Sequence, residues 1–169
     1  MRRRAATVAA IAIACAALTG CSLQQGLADR IPQSPQRAPA PAIDAPTLSG
    51  PAFDWASTRG HPLVLDFWGS WCGPCRAEQH DLNAIEAAYA PRGIHFLGVD
   101  LRDDDASGRA YLAGYGVAYP SVSDPDEQIS AAYDVAAPPT IIVVDSRGLI
   151  VSRFLGTLAG LRAALDRVR

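Results

Sequence analysis

The sequence predicts an α/β sandwich, a central mixed β-sheet flanked by helices, and three observations carry that expectation. Short runs of branched apolar residues alternate with longer segments whose apolar residues recur at helical spacing, the order that builds layered α/β domains. The first run, Leu63-Val64-Leu65-Asp66-Phe67-Trp68, leads straight into a helix start. The last two runs, residues 141–145 and 149–154, are separated by Ser146-Arg147-Gly148, a turn that makes them antiparallel neighbours and the sheet mixed. With 169 residues, 49 % hydrophobic content and a net charge of −2, the chain suffices for one core with a short appendage. Nothing in that charge balance points to nucleic acid.

The run at 63–68 is continuous rather than alternating, so it reads as a strand buried on both faces, and Gly69-Ser70-Trp71 as the turn out of it. A helix then begins at Cys72-Gly73-Pro74-Cys75 and continues to about Tyr89. Proline is tolerated in the first helical turn, where its missing N–H is unpaired in any case. Cys72 therefore meets free backbone N–H groups and the positive end of the helix dipole, which favour a thiolate. Cys75 lies one turn deeper. An exposed, acidic thiol beside a shielded one is suited to thiol–disulfide exchange. A zinc site would need two further ligands at short spacing, and His61, His80 and His95 stand singly in the sequence. A purely structural bridge over two intervening residues would constrain the unfolded chain little.

Along the same helix, Leu82, Ile85 and Tyr89 mark the inward face, while Arg76, Asp81 and Glu86 look outward. Glu78 follows Cys75 by three residues and shares its side of the helix. Pro91-Arg92-Gly93 ends the helix, and residues 94–100 form the second core strand. Asp103-Asp104-Asp105 precede a helix over 106–115, where negative charge suits the N-terminus. After Ala136-Ala137-Pro138-Pro139-Thr140 come the strands at 141–145 and 149–154, with Gly156 as a stop. Leu158, Leu161, Leu165 and Val168 then give a closing helix one apolar side. Asp66 conflicts with its neighbours, because an ionisable group inside a buried strand is costly unless it is paired or functional.

The runs Leu65-Asp66-Phe67-Trp68 and Trp71-Cys72-Gly73-Pro74-Cys75 resemble thioredoxin, and in particular the extracytoplasmic TlpA/ResA/CcmG-like thiol–disulfide oxidoreductases. The resemblance extends from about Ala45 to the C-terminus and implies a thioredoxin-like fold. It also implies a small N-terminal hairpin, Thr47-Leu48-Ser49-Gly50 against Ala52-Phe53-Asp54, and a TlpA-type insertion with a strand at 119–124 and a helix at 127–133. It makes Asp66 the acid that relays protons beneath the buried Cys75, and Glu78 an acid that adjusts cysteine acidity. It makes Pro139 the cis-proline beside the active site. Trp71, Gly73, Pro74, Pro138, Pro139 and Thr140 then line the groove for a substrate's extended backbone. Pro138 departs from what pairing wants, since it has no N–H to donate to a docked peptide.

The N-terminus adds an address. Met1-Arg2-Arg3-Arg4 is a basic start, and the apolar stretch from Ala5 to Leu18 is too short to span a membrane, the form of a signal peptide over residues 1–20. Leu18-Thr19-Gly20-Cys21 resembles the bacterial lipobox, which implies that Cys15 is discarded and Cys21 is lipidated. Residues 21–45, rich in Gln, Ala and Pro, read as a tether, and 46–169 as the domain. The expected function is that of a lipid-anchored extracytoplasmic oxidoreductase with no cofactor beyond the Cys72–Cys75 pair. Its partners are exported proteins carrying thiols or disulfides and a membrane electron donor of CcdA type, with cytochrome c maturation the commonest task of such relatives. A DsbE-like oxidase that installs disulfides would use the same residues. A peroxiredoxin needs a hydroxyl where Gly69 stands, and a copper-carrying lipoprotein of Sco type needs three residues between its cysteines.

Overall fold

A computed structural model describes residues 37–168. The signal segment, Cys21 and most of the tether lie outside the described residues. Among the described residues, five strands form one sheet in the order β3-β2-β1-β4-β5. In chain order the elements are β1 (Leu63–Trp68), α1 (Gly73–Tyr89), β2 (His95–Leu101), α2 (Asp105–Tyr115), β3 (Ser121–Asp124), α3 (Gln128–Ala132), β4 (Thr140–Val144), β5 (Ile150–Leu155) and α4 (Leu161–Leu165). The strands β1, β2 and β3 run parallel, joined through helices, whereas β4 and β5 are antiparallel to their neighbours. The sheet is therefore mixed, with β3 on the parallel edge and α3 following it in the chain.

Central position explains the composition of β1. Paired on both sides and covered on both faces, it is buried along its whole length. Leu63, Leu65 and Phe67 enter one apolar cluster with Leu97, Val99, Tyr133 and Ile142. Val64 faces the other way, into a cluster with Leu82, Ile85 and Tyr89 of α1 and with Leu161, Leu165 and Val168 at the C-terminus. Asp66 and Trp68 share that second face by the two-residue period of a strand.

Two expectations at the N-terminal end are corrected. Thr47 and its neighbours do not pair as a hairpin; Thr47 instead bridges Val122 of β3, and Leu48 N–H donates to Ser121 O at 2.7 Å. The domain also begins before residue 46. Ala40 N–H donates to Gly148 O, Ile150 N–H donates to Ala38 O, and Ile43 is buried in the first cluster. An extended Pro-rich segment supplies backbone donors and acceptors to the β4–β5 turn without any side-chain periodicity that a sequence reading would detect.

Candidate active site

The turn from β1 into α1 brings the two cysteines together. Cys72 is the N-cap of α1, and its Sγ accepts the Cys75 N–H at 3.1 Å. Cys72 and Cys75 are joined as a disulfide, with S–S 2.04 Å and a Cα–Cα separation of 5.3 Å. Sulfur thus occupies the position where an N-cap oxygen ordinarily accepts a helix N–H, the arrangement that stabilises a thiolate once the bond is reduced. One expectation needs correction. Cys72 is 3 % exposed, the same as Cys75, because Trp68, Leu48 and Tyr111 close over the pair. In the oxidised form, shielding does not distinguish the two sulfurs; the amide contact at Cys72 does.

The turn itself is clamped from two sides. Ser70 N–H donates to Asp103 Oδ2 at 2.6 Å, and Arg76 Nη1 donates to Ser70 O at 2.6 Å. Trp71, 47 % exposed, donates its indole N–H to Leu101 O at 3.0 Å, and the Arg102 guanidinium lies 5.1 Å from its ring centroid. Gly69 makes that reach possible: a Cβ there would stand 2.7 Å from Trp71 Nε1. Within the acidic run, Asp104 caps α2 by accepting from Ala106 and Ser107, as helix-terminal charge suggests. Asp103 serves the active-site turn instead, which the sequence did not disclose.

The Pro138–Pro139 bond is cis. Gly156 N–H donates to Pro139 O at 2.9 Å, tying the proline turn to the end of β5. Thr140 is buried and gives its hydroxyl to Ala137 O at 2.8 Å, so it braces the turn from inside. Gly73 and Pro74 are exposed and Pro138 is half-buried. Leu155, 68 % exposed, pairs with Thr140 in the β4–β5 register.

Asp66 is 3 % exposed, and Tyr119 donates its hydroxyl to Asp66 Oδ2 at 2.8 Å. Burial pushes the Asp66 carboxyl up to about 7; the Tyr119 bond opposes that rise, and the charge of Glu78 adds to it. Glu78 is half-buried on α1, and burial raises it above the ordinary glutamate value. Gln79, four residues after Cys75 on the same inward face, donates to Tyr119 Oη at 3.0 Å and accepts from the Tyr111 hydroxyl at 2.9 Å. Sequence reasoning missed Gln79 and Tyr119. A signal existed for Gln79, a polar residue on the buried stripe of α1, the same anomaly that singled out Asp66.

A second buried acid, Asp100, is 1 % exposed on β2, opposite Trp68 in register. Among the described residues neither of its oxygens has a hydrogen-bond partner. Burial, then the neighbouring charge of Asp103, pushes it up to about 8. At the other end of the sheet, His61 and His95 are not isolated from each other: their rings stack at 4.9 Å, and burial with the nearby His61 lowers the pKa of His95.

Known proteins are similar to this chain in sequence and in fold. The ResA thiol-disulfide oxidoreductase of Geobacillus kaustophilus is 29 % identical over 119 residues, covering 70 % of this chain and 68 % of that protein. The crystal structure of a secreted Mycobacterium tuberculosis disulfide oxidoreductase homologous to E. coli DsbE superposes with a TM-score of 0.66 at 29 % identity, covering 73 % of this chain and 94 % of the other. A thioredoxin-family thiol:disulfide interchange protein from Chlorobium tepidum shares the fold, with a TM-score of 0.71 at 24 % identity over 79 % of this chain and 97 % of that one. A family model described as AhpC/TSA matches residues 37–153, and the chain, thioredoxin-like in fold, belongs to the AhpC/TSA family.

Proposed function

We propose that this protein thiol–disulfide oxidoreductase works outside the cytoplasm as a reductase of disulfides in exported proteins. The observation that carries the reading is the Cys72–Cys75 pair at the start of α1, with Cys72 Sγ held on a backbone amide. In the dithiol form the Cys72 thiolate attacks one sulfur of a partner disulfide, forming a mixed disulfide and releasing the partner's other sulfur as thiolate. Asp66 accepts the proton of Cys75, and the Cys75 thiolate attacks Cys72 Sγ. The second partner sulfur leaves, and the Cys72–Cys75 bond closes. Two electrons pass to the partner, and its sulfurs take up two protons. A carboxyl near 7 suits this task, because at neutral pH it exists in both protonation states. Glu78, half-buried nearby, adds charge that adjusts this balance. The redox group is the cysteine pair itself.

The direction is argued from Gly73-Pro74 between the cysteines, the thioredoxin pair, for which a potential of about −270 mV is typical, against about −120 mV for the oxidant DsbA. Substrate lies along Trp71, the Gly73-Pro74 turn and cis-Pro139. Pro138 contributes no N–H, so backbone pairing is one-sided and favours a few dedicated partners. Leader residues 1–20 direct export, a lipidated Cys21 supplies membrane attachment, and a CcdA-type membrane protein returns electrons. Cytochrome c maturation, or a similar reduction of exported partners, is the process that such a reductase serves.

A Cys75→Ser chain in its native host tests the reading. Partners are expected to remain disulfide-linked to Cys72, and the wild-type couple is expected to poise near the thioredoxin value. A potential near that of DsbA, with dithiol partners trapped, would reverse the direction and favour the oxidase.

A further inference from the structure

We infer that Tyr119 is a positioning residue for Asp66, and that a directed hydrogen-bond chain from the C-terminal end of α2 commits the Tyr119 proton to the Asp66 carboxylate. This inference rests on the proposed role of Asp66 as the acceptor for the Cys75 proton.

The chain starts at two backbone carbonyls. Asn83 Nδ2 donates to Tyr115 O at 2.8 Å and to Gly116 O at 3.3 Å. A carbonyl only accepts, so the amide nitrogen of Asn83 must face α2, and Asn83 Oδ1 must face inward. Oδ1 in turn only accepts, so it fixes Gln79 with Nε2 towards it, at 2.8 Å. Gln79 Nε2 then also donates to Tyr119 Oη at 3.0 Å, leaving Gln79 Oε1 to accept from Tyr111 at 2.9 Å. Tyr119 oxygen already accepts from Gln79, and its proton goes to Asp66 Oδ2 at 2.8 Å. Every orientation after the first follows from the one before it. Reversing Gln79 would set its nitrogen against the Tyr111 hydroxyl and its oxygen against Asn83 Oδ1.

The consequence is electrostatic. A donor held towards a carboxyl favours the ionised form, because a charge-assisted hydrogen bond is stronger than a neutral one. Ionised Asp66 is the form that takes a proton from Cys75. Opposing it from α1 is Glu78, whose negative charge raises the Asp66 carboxyl. From α2, Tyr111 faces it with a hydroxyl already committed to Gln79. The flanking strands present Gly98 and Ile141, which do not titrate. Burial raises the Asp66 carboxyl and the Tyr119 bond lowers it, so that it stands at about 7. The chain thus sets how much of Asp66 is available as a base at neutral pH.

The test reads the Asp66 proton directly, independent of turnover. The chain is labelled with carboxyl-¹³C aspartate, and the Asp66 signal, identified by its loss in Asp66→Asn, is titrated in the oxidised form. Tyr119→Phe is expected to raise the midpoint by about one pH unit, a tenfold change in proton affinity. Asn83→Ala, at a half-buried site that does not touch Asp66, is expected to raise it by about half a unit by releasing Gln79 to turn over. A Tyr119→Phe midpoint within about 0.2 unit of wild type, or an Asn83→Ala midpoint that is unchanged or lower, overturns the inference. Asn83→Ala decides the matter if Tyr119→Phe does not fold. Protein-disulfide reduction measured on the same chains separates this outcome from failure of the oxidoreductase reading, because the titration requires no substrate.

Discussion

Asp66 and Asp100 are two buried carboxyls on one face of adjacent strands, and they are treated in opposite ways. Asp66 receives a tyrosine hydroxyl held by a side-chain network, and Glu78 lies nearby. Asp100 accepts no hydrogen bond from a donor among the described residues, and its neighbour Asp103 raises it further. It faces Gly108 of α2, where a Cβ would stand 2.2 Å from Oδ2, and acidic neighbours on the loop after β2. Both carboxyls are raised, chiefly by burial. Only the first is tied to the helix that carries the cysteines, through Gln79, one turn beyond Cys75. The difference teaches that burial alone makes an acid weak, whereas a directed donor makes it usable.

The sharpest way to break this contrast is kinetic. Asp66→Asn is expected to slow resolution of a mixed disulfide at pH 7 by about 10²-fold, the scale of a lost proton acceptor, while Asp100→Asn stays within about threefold of wild type. Comparable losses in both variants, read by stopped-flow with a peptide disulfide, would erase the distinction.

Stability sharpens it from the other side. Both carboxyls start from 3.8 in the unfolded chain, and in the folded state stand near 7 and near 8. The folded state therefore holds protons that the unfolded chain has released. Their contribution is fully present below about pH 4 and is lost as pH rises through about 7 for Asp66 and about 8 for Asp100. Urea unfolding is expected to show stability falling across that window. Asp100→Asn is expected to flatten the upper part and to raise stability at pH 8 relative to wild type. A slope unchanged by Asp100→Asn would show that this acid is satisfied.

A smaller effect probes the lid over Asp100. Gly108→Ala is expected to cost about 1–2 kcal/mol, because the new methyl would stand 2.2 Å from Asp100 Oδ2 and 3.0 Å from Leu48 Cδ1. Weakest is the clamp on the active-site turn. Asp103→Ala leaves Ser70 N–H without its acceptor and is expected to cost about 1 kcal/mol by thermal unfolding, with β2 and α2 unaltered.

These sites also separate what a sequence discloses from what it hides. The strands and long helices are legible because burial imposes periods of 2 and 3.6 on side-chain polarity, as β1 and the Leu82, Ile85 and Tyr89 stripe illustrate. The Cys72–Cys75 pair is legible because local spacing encodes it, and Asp66 because it violates its strand. Tyr119 was not legible: it lies 53 residues from Asp66 and 40 from Gln79, and only the assembled sheet brings them together. Neither was the early start of the domain, where residues 38–43 attach chiefly through backbone bonds that leave no pattern in side-chain type.

The pH dependence of mixed-disulfide resolution in wild type, Asp66→Asn and Asp100→Asn decides whether Asp66 takes the Cys75 proton. An inflection near pH 7 is expected in wild type, persisting in Asp100→Asn and disappearing in Asp66→Asn. The same inflection surviving in Asp66→Asn would contradict that role, because the proton of Cys75 would then be going elsewhere.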